Sequence, residues 1–123
     1  MEIHFTERES DIMAVLWERG PSTVAEVREA LRDDLAYNTV LTMLRILEEK
    51  GYAGHEEEGR AFRYHALVGR EAAAESAVSD LVRRLFGGSP SRLVTQLVRQ
   101  RNLPAGELKR LRELIDARLE DAD

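Results

Sequence analysis

A chain of 123 residues, 43% hydrophobic and 33% charged, is sized for one domain or one small domain with an appendage. No apolar run approaches the ~20 residues that cross a bilayer, and the acidic, polar start MEIHFTERES does not read as a signal peptide, so the cytoplasm is the expected compartment. The absence of cysteine removes disulfides, thiol redox sensing and cysteine-ligated zinc or iron–sulfur centres. The net charge of −5 is unevenly split. Residues 1–67 hold 8 Lys/Arg against 14 Asp/Glu and residues 68–123 hold 10 against 9, so any contact with DNA has to come from a local basic cluster.

In chain order, Thr6 and Glu9 form a T-x-x-E capping box ahead of a helix that carries Ile12, Val15 and Leu16 on one stripe, with Met13 and Trp17 beside it. Arg19-Gly20-Pro21 stops that helix, since proline disfavours helical geometry in the residue before it. Thr23 and Glu26 open a second, short helix with Val24, Val27 and Leu31 inward. After the polar Arg32-Asp33-Asp34 comes AYNTVLTMLRILEEKG, read as a helix over about 37–50. Val40, Met43, Leu44 and Leu47 fall at i, i+3, i+4 and i+7 on its buried side. Asn38, Thr42, Arg45 and Glu49 lie opposite, with Tyr37 and Thr39 at its start. Asn, Thr and Arg are side chains that reach base edges and phosphates in a major groove. Gly51 ends the helix.

Residues 52–67 read as a β-hairpin: Tyr52–Glu57 as one strand, Gly59 in the turn, and Phe62, Tyr64 and Ala66 alternating with Arg63 and His65 in the other. Helix, helix, helix, hairpin is the order of a winged helix-turn-helix, whose third helix enters the major groove. Beyond Leu67 the chain reads as wholly helical. One apolar stripe holds Val78, Leu81, Val82, Leu85 and Phe86; a second, after Ser89-Pro90, holds Leu93, Val94, Leu97 and Val98; a third, after Pro104, holds Leu108, Leu111, Ile115 and Leu119 inward. Three helices in 56 residues make a poor core alone. The fold expected is therefore mainly α with a small β-hairpin wing: a DNA-binding domain over 1–67 and a helical dimerisation region over 68–123, its contacts carried by Leu81, Leu85, Leu93, Leu97, Leu108, Leu111 and Ile115.

The stretches TERESDIMAVLW, STVAEVREAL, AYNTVLTMLRILEEKGY and EGRAFRYHAL resemble the penicillinase-repressor family of bacterial transcription regulators, the group of the β-lactamase and methicillin-resistance repressors. Tyr-x-Thr-Val-x-Thr over Tyr37–Thr42 is the most specific piece, followed by Gly-Arg-Ala-Phe-Arg-Tyr. The resemblance implies a homodimeric repressor of an inverted-repeat operator on double-stranded DNA. It places Asn38, Thr39 and Thr42 over base edges, Tyr37 and Arg45 against the backbone or flanking bases, and Arg60 and Arg63 on phosphates or the neighbouring minor groove. It also implies induction through a membrane sensor metalloprotease, with cleavage in the tail commonly at an Asn-Phe bond. Here that position is Gln96-Leu97, a departure from the pattern, and without cysteine the copper-sensing tail of another branch does not carry over.

Other constellations point to no chemistry. His55 and His65 could face one another across the wing and begin a metal site, but solvated wing histidines are expected, with no metal and no cofactor. Glu56-Glu57-Glu58 reads as a solvated hairpin tip, and Trp17 as a core anchor. The sequence has no cysteine nucleophile, glycine-rich phosphate loop or H-E-x-x-H motif, so no enzyme is expected. The rival from another class is a winged-helix protein–protein adaptor without specific DNA binding, which the acidic first half favours.

Overall fold

The computed structural model describes residues 2–122. Its elements run α1 (Glu7–Arg19), β1 (Ser22–Thr23), α2 (Val24–Ala30), α3 (Tyr37–Glu49), β2 (Ala53–Glu58), β3 (Ala61–Ala66), α4 (Arg70–Leu85), α5 (Pro90–Val98) and α6 (Ala105–Asp121). Both capping boxes form. The Glu9 N–H donates to the Thr6 hydroxyl at 3.2 Å, and the Thr6 N–H donates to the Glu9 carboxylate at 2.7 Å. Thr23 and Glu26 repeat the exchange at 3.2 and 2.9 Å. Each box satisfies N–H groups that the first helical turn otherwise leaves without partners.

The third helix ends as its glycine requires. Gly51 sits at φ 84, its N–H donates to the Glu48 carbonyl at 3.0 Å, and the Tyr52 N–H reaches the Leu47 carbonyl at 2.9 Å. That pair of bonds is a Schellman motif, and it turns the chain directly into β2. Strands β2 and β3 pair antiparallel in the register Ala53↔Ala66 to Glu58↔Ala61, with Gly59 at φ 62 in the turn between them.

The sheet holds one strand more than the hairpin expected from sequence. Ser22 and Thr23 pair with Tyr64 and Arg63, giving the order β1-β3-β2. Two residues are too few to display an alternating pattern, and Pro21 offers only extended backbone, so nothing in the sequence announces this strand.

Residues up to Val78 make one compact unit, and those from Ser79 onward make a second. The first unit has a continuous core. Ile12 and Met13 of α1, Val27 of α2, Val40, Leu44 and Leu47 of α3, Ala53 of β2 and Tyr64 of β3 are all fully or almost fully buried. One charge lies among them. The Glu9 carboxylate is buried and takes the Lys50 ammonium at 2.8 and 3.0 Å, tying the start of α1 to the end of α3. Burial pushes the Glu9 carboxyl up, but Lys50 and the Thr6 cap outweigh it, and the net result lies below the ordinary carboxylate value.

The second unit holds the end of α4, then α5 with Pro90 in its first turn, then α6. The stripes read from sequence as inward are not buried within this chain. Among its described residues α5 and α6 bury none, Ile115 is 50% exposed and Leu119 61%. The physical reason is size: three short helices cannot enclose their own apolar faces.

Candidate nucleic-acid interface

The core fixes which side of α3 faces out. With Val40, Leu44 and Leu47 fully buried, the opposite side must present Asn38, Thr39, Thr42 and Arg45, all exposed, with Tyr37 46% exposed at the helix start. Residues 38, 42 and 45 follow helical spacing, so an amide, a hydroxyl and a guanidinium lie in one row. No carboxylate interrupts that row before Glu48 and Glu49 at the last turn.

Glu48 is engaged with the wing. His55 of β2 places Nδ1 2.7 and 2.8 Å from its two carboxylate oxygens, so that nitrogen carries the proton. The His55 ring lies 4.5 Å from Phe62 and 5.3 Å from Tyr64, centroid to centroid. Tyr64 is buried beneath this layer. Its hydroxyl is pushed up, first by burial and then by the Glu48 charge, while Arg45 draws it down. The Glu48–His55 hydrogen bond and the Arg45 guanidinium thus hold the hairpin to α3, while the ring layer joins the hairpin's own two strands. The sequence reading found His55 but missed Glu48, because the two share no motif and meet only through the Schellman turn.

His55 and His65 do not face one another. His55 pairs with Tyr64 and His65 with Gly54, so the two imidazoles point to opposite faces of the hairpin. The His65 ring lies over Gly54, where an added Cβ would come within 3.1 Å of Nε2. Among the described residues no group of three or more His, Cys, Asp or Glu is placed to hold a metal.

The two wing arginines differ in setting. Arg60 is exposed in the turn after Gly59. Arg63 binds inward: Nε donates to Glu58, and Nη1 donates to Glu26 at 3.1 Å and to the Pro21 carbonyl at 3.1 Å. Hydrogen bonding to Glu58 and the charges of Glu58 and Glu26 raise the Arg63 value, while Glu58 itself is lowered, chiefly by its hydrogen bond to Arg63. Glu26 is lowered as well, first by the Thr23 backbone and hydroxyl, then by Arg63 and Arg19. The wing is thereby pinned to the start of α2. Glu56 and Glu57 remain exposed on β2.

Trp17 behaves as an anchor, its Nε1–H donating to the Val68 carbonyl at 2.9 Å. In the tail, Leu81, Leu97, Leu108 and Ile115 are exposed, Leu85 is 70% exposed, and Leu93 and Leu111 are half-buried. Gln96 and Leu97 lie within α5 with both side chains exposed. Arg83 and Arg84 pair with Asp80 along α4.

The sequence model described as penicillinase repressor matches residues 5–117. The chain belongs to the penicillinase repressor family. It is 40% identical over 75 residues to the transcriptional regulator BlaI of Mycobacterium tuberculosis, a match that covers 58% of this chain and 54% of that one. It is 20% identical over 110 residues to the methicillin resistance regulatory protein MecI of Staphylococcus aureus, covering 88% and 89%. Among solved structures, reduced AbfR bound to DNA superposes with a TM-score of 0.53 at 23% identity, covering 78% of this chain and 75% of that one. A MarR family protein from Bacillus stearothermophilus superposes with 0.52 at 20%, covering 95% and 77%. At these identities the superpositions establish the winged-helix fold alone. Family membership makes this chain a transcriptional repressor with DNA as its partner, and not an enzyme. No helix among its described residues is long and apolar enough to cross a membrane.

Proposed function

We propose that this chain acts in the cytoplasm as a homodimeric repressor, binding an inverted-repeat operator through α3 and the wing. The observation that carries the reading is the division of α3: one side is fully buried, and the other offers Asn38, Thr39, Thr42 and Arg45 in helical register with Tyr37 beside them. Amide, hydroxyl and guanidinium groups there read base edges, and phosphate contacts set the register. Arg60 is the wing's cation for phosphate. Arg63, already paired with Glu58 and Glu26, serves first to hold the wing in place. The helical tail supplies the dimer contact through Leu81, Leu85, Leu93, Leu97, Leu108, Leu111 and Ile115. Two-fold symmetry then places two recognition helices about one turn of DNA apart, or a multiple of it.

Cleavage at Gln96-Leu97 would divide the apolar face of α5 and end dimerisation, which is how a membrane sensor metalloprotease would act on this chain. Mass spectrometry of the chain from induced cells reads that bond directly. The exposed Glu56 and Glu57 favour the adaptor reading, since carboxylates at a wing tip repel phosphate.

A mobility-shift titration of the full chain decides between these readings, using the DNA upstream of its own gene and a scrambled fragment, each at two salt concentrations. Specific repression requires far tighter binding to the upstream DNA. Arg45→Ala should then weaken operator binding by about 1–3 kcal/mol. Equal, weak binding to both fragments, repeated for fragments selected from the whole genome, would leave the adaptor.

A further inference from the structure

The segment ahead of α1 makes contacts that no motif announces. Ile3 is 4% exposed. Its N–H donates to Ser76 Oγ on α4 at 2.8 Å, and the Ser76 hydroxyl donates back to the Ile3 carbonyl at 3.3 Å. The His4 N–H donates to the Tyr52 hydroxyl at 3.2 Å. Phe5 stands edge-on to Tyr52 at 5.1 Å and tilted against Trp17 at 6.2 Å. Trp17 in turn holds the Val68 carbonyl and lies under the Arg70 guanidinium at 5.6 Å.

These contacts attach α4 at two points rather than one. Trp17 fixes the helix at its base, beside Val68 and Arg70. Ile3 fixes it again at Ser76, about 9 Å further along at 1.5 Å per residue. One attachment fixes where a helix begins; two fix its direction. Direction matters because α4 continues without a break to Leu85 and carries Leu81 and Leu85, two of the residues assigned above to the dimer contact. A tilt of about 10° over the ~24 Å of a 16-residue helix moves its far end by ~4 Å, about the rise of one base pair.

We propose that residues 3–5 and Ser76 form a latch that sets the direction of α4, making Ile3 and Ser76 positioning residues for operator spacing. The proposal rests on the dimeric-repressor reading above. In that dimer the two recognition helices are joined through α4, so a latched helix accepts one separation of half-sites and a loose one accepts several. Neither Ile3 nor Ser76 belongs to the DNA-reading face, and both act only through α4.

The test uses the full chain and an operator selected from random DNA by the wild type. Two further fragments accompany it: the same operator with one base pair inserted between its half-sites, and a single half-site. Ser76→Ala removes both bonds to Ile3 while keeping the helix, and Ser76→Thr keeps the hydroxyl. Ser76→Ala should leave half-site affinity within about twofold and reduce the preference for the correct spacing by about tenfold. Amide exchange over 73–80 should quicken by about tenfold. Ser76→Thr should restore the preference, and Ile3→Ala should repeat the loss. An unchanged preference in a wild-type-like dimer overturns the latch, as does a parallel fall in half-site affinity. A wild type that sediments as a monomer defeats the dimeric reading itself, and with it any role in spacing.

Discussion

The two compact units carry the same kind of sequence signal and meet different fates. In residues up to Val78, the apolar stripes of α1, α2 and α3 converge with the inner face of the sheet, and side chains as large as Tyr64 and Leu44 fall below 2% exposure. From Ser79 onward the stripes are as regular, yet α5 and α6 bury no described residue. Periodicity says that a face needs covering. Whether the chain covers it depends on how many elements reach the same place, and the tail has too few.

The sharpest way to break that comparison is to delete the same kind of side chain on both sides of it. Leu44→Ala opens a cavity in a closed core and should cost about 2–5 kcal/mol in urea unfolding, independent of protein concentration. Leu111→Glu with Ile115→Glu should barely change the first unit. If the tail is the dimer contact, that pair should produce monomers in sedimentation and weaken operator binding by at least about 100-fold, roughly 2.7 kcal/mol. An unchanged dimer mass would sink the assignment of the tail.

Within the first unit, the buried Glu9 gives a pH signature that the tail cannot give. Because its folded value is lowered, the stabilisation from Lys50 is complete above the ordinary carboxylate range and is lost as pH falls through the folded value. Lys50→Met should therefore cost about 1–3 kcal/mol at neutral pH and little in acid, where both proteins hold a neutral Glu9. A cost that did not fade with acid would place the role of Lys50 in packing instead. The smallest effects separate the two wing arginines. Arg60→Ala should weaken binding alike on every sequence and reduce the salt slope by about 1. Arg63→Ala should instead lower the melting temperature, since its partners are Glu58, Glu26 and a carbonyl. A reduced salt slope with Arg63→Ala and no change in melting would reverse these roles.

Much of this protein follows from local chemistry that the sequence displays by itself. Threonine three residues before glutamate starts α1 and α2, glycine at positive φ ends α3, and the period of Val40, Leu44 and Leu47 fixes which residues α3 turns outward. These are interactions within one turn or one helix, so neighbouring residues suffice to specify them. The family, and with it the repressor function, was legible in the same stretches.

Tertiary structure alone decided what joins distant residues. Strand β1 exists because β3 lies beside it, 42 residues away at Ser22–Tyr64 and 40 at Thr23–Arg63. Glu48 holds His55, Arg63 turns in toward Glu26, His55 and His65 part to opposite faces, and Ile3 reaches Ser76. None of these pairs has a fixed spacing, because each depends on how a turn or a strand register carries two segments together.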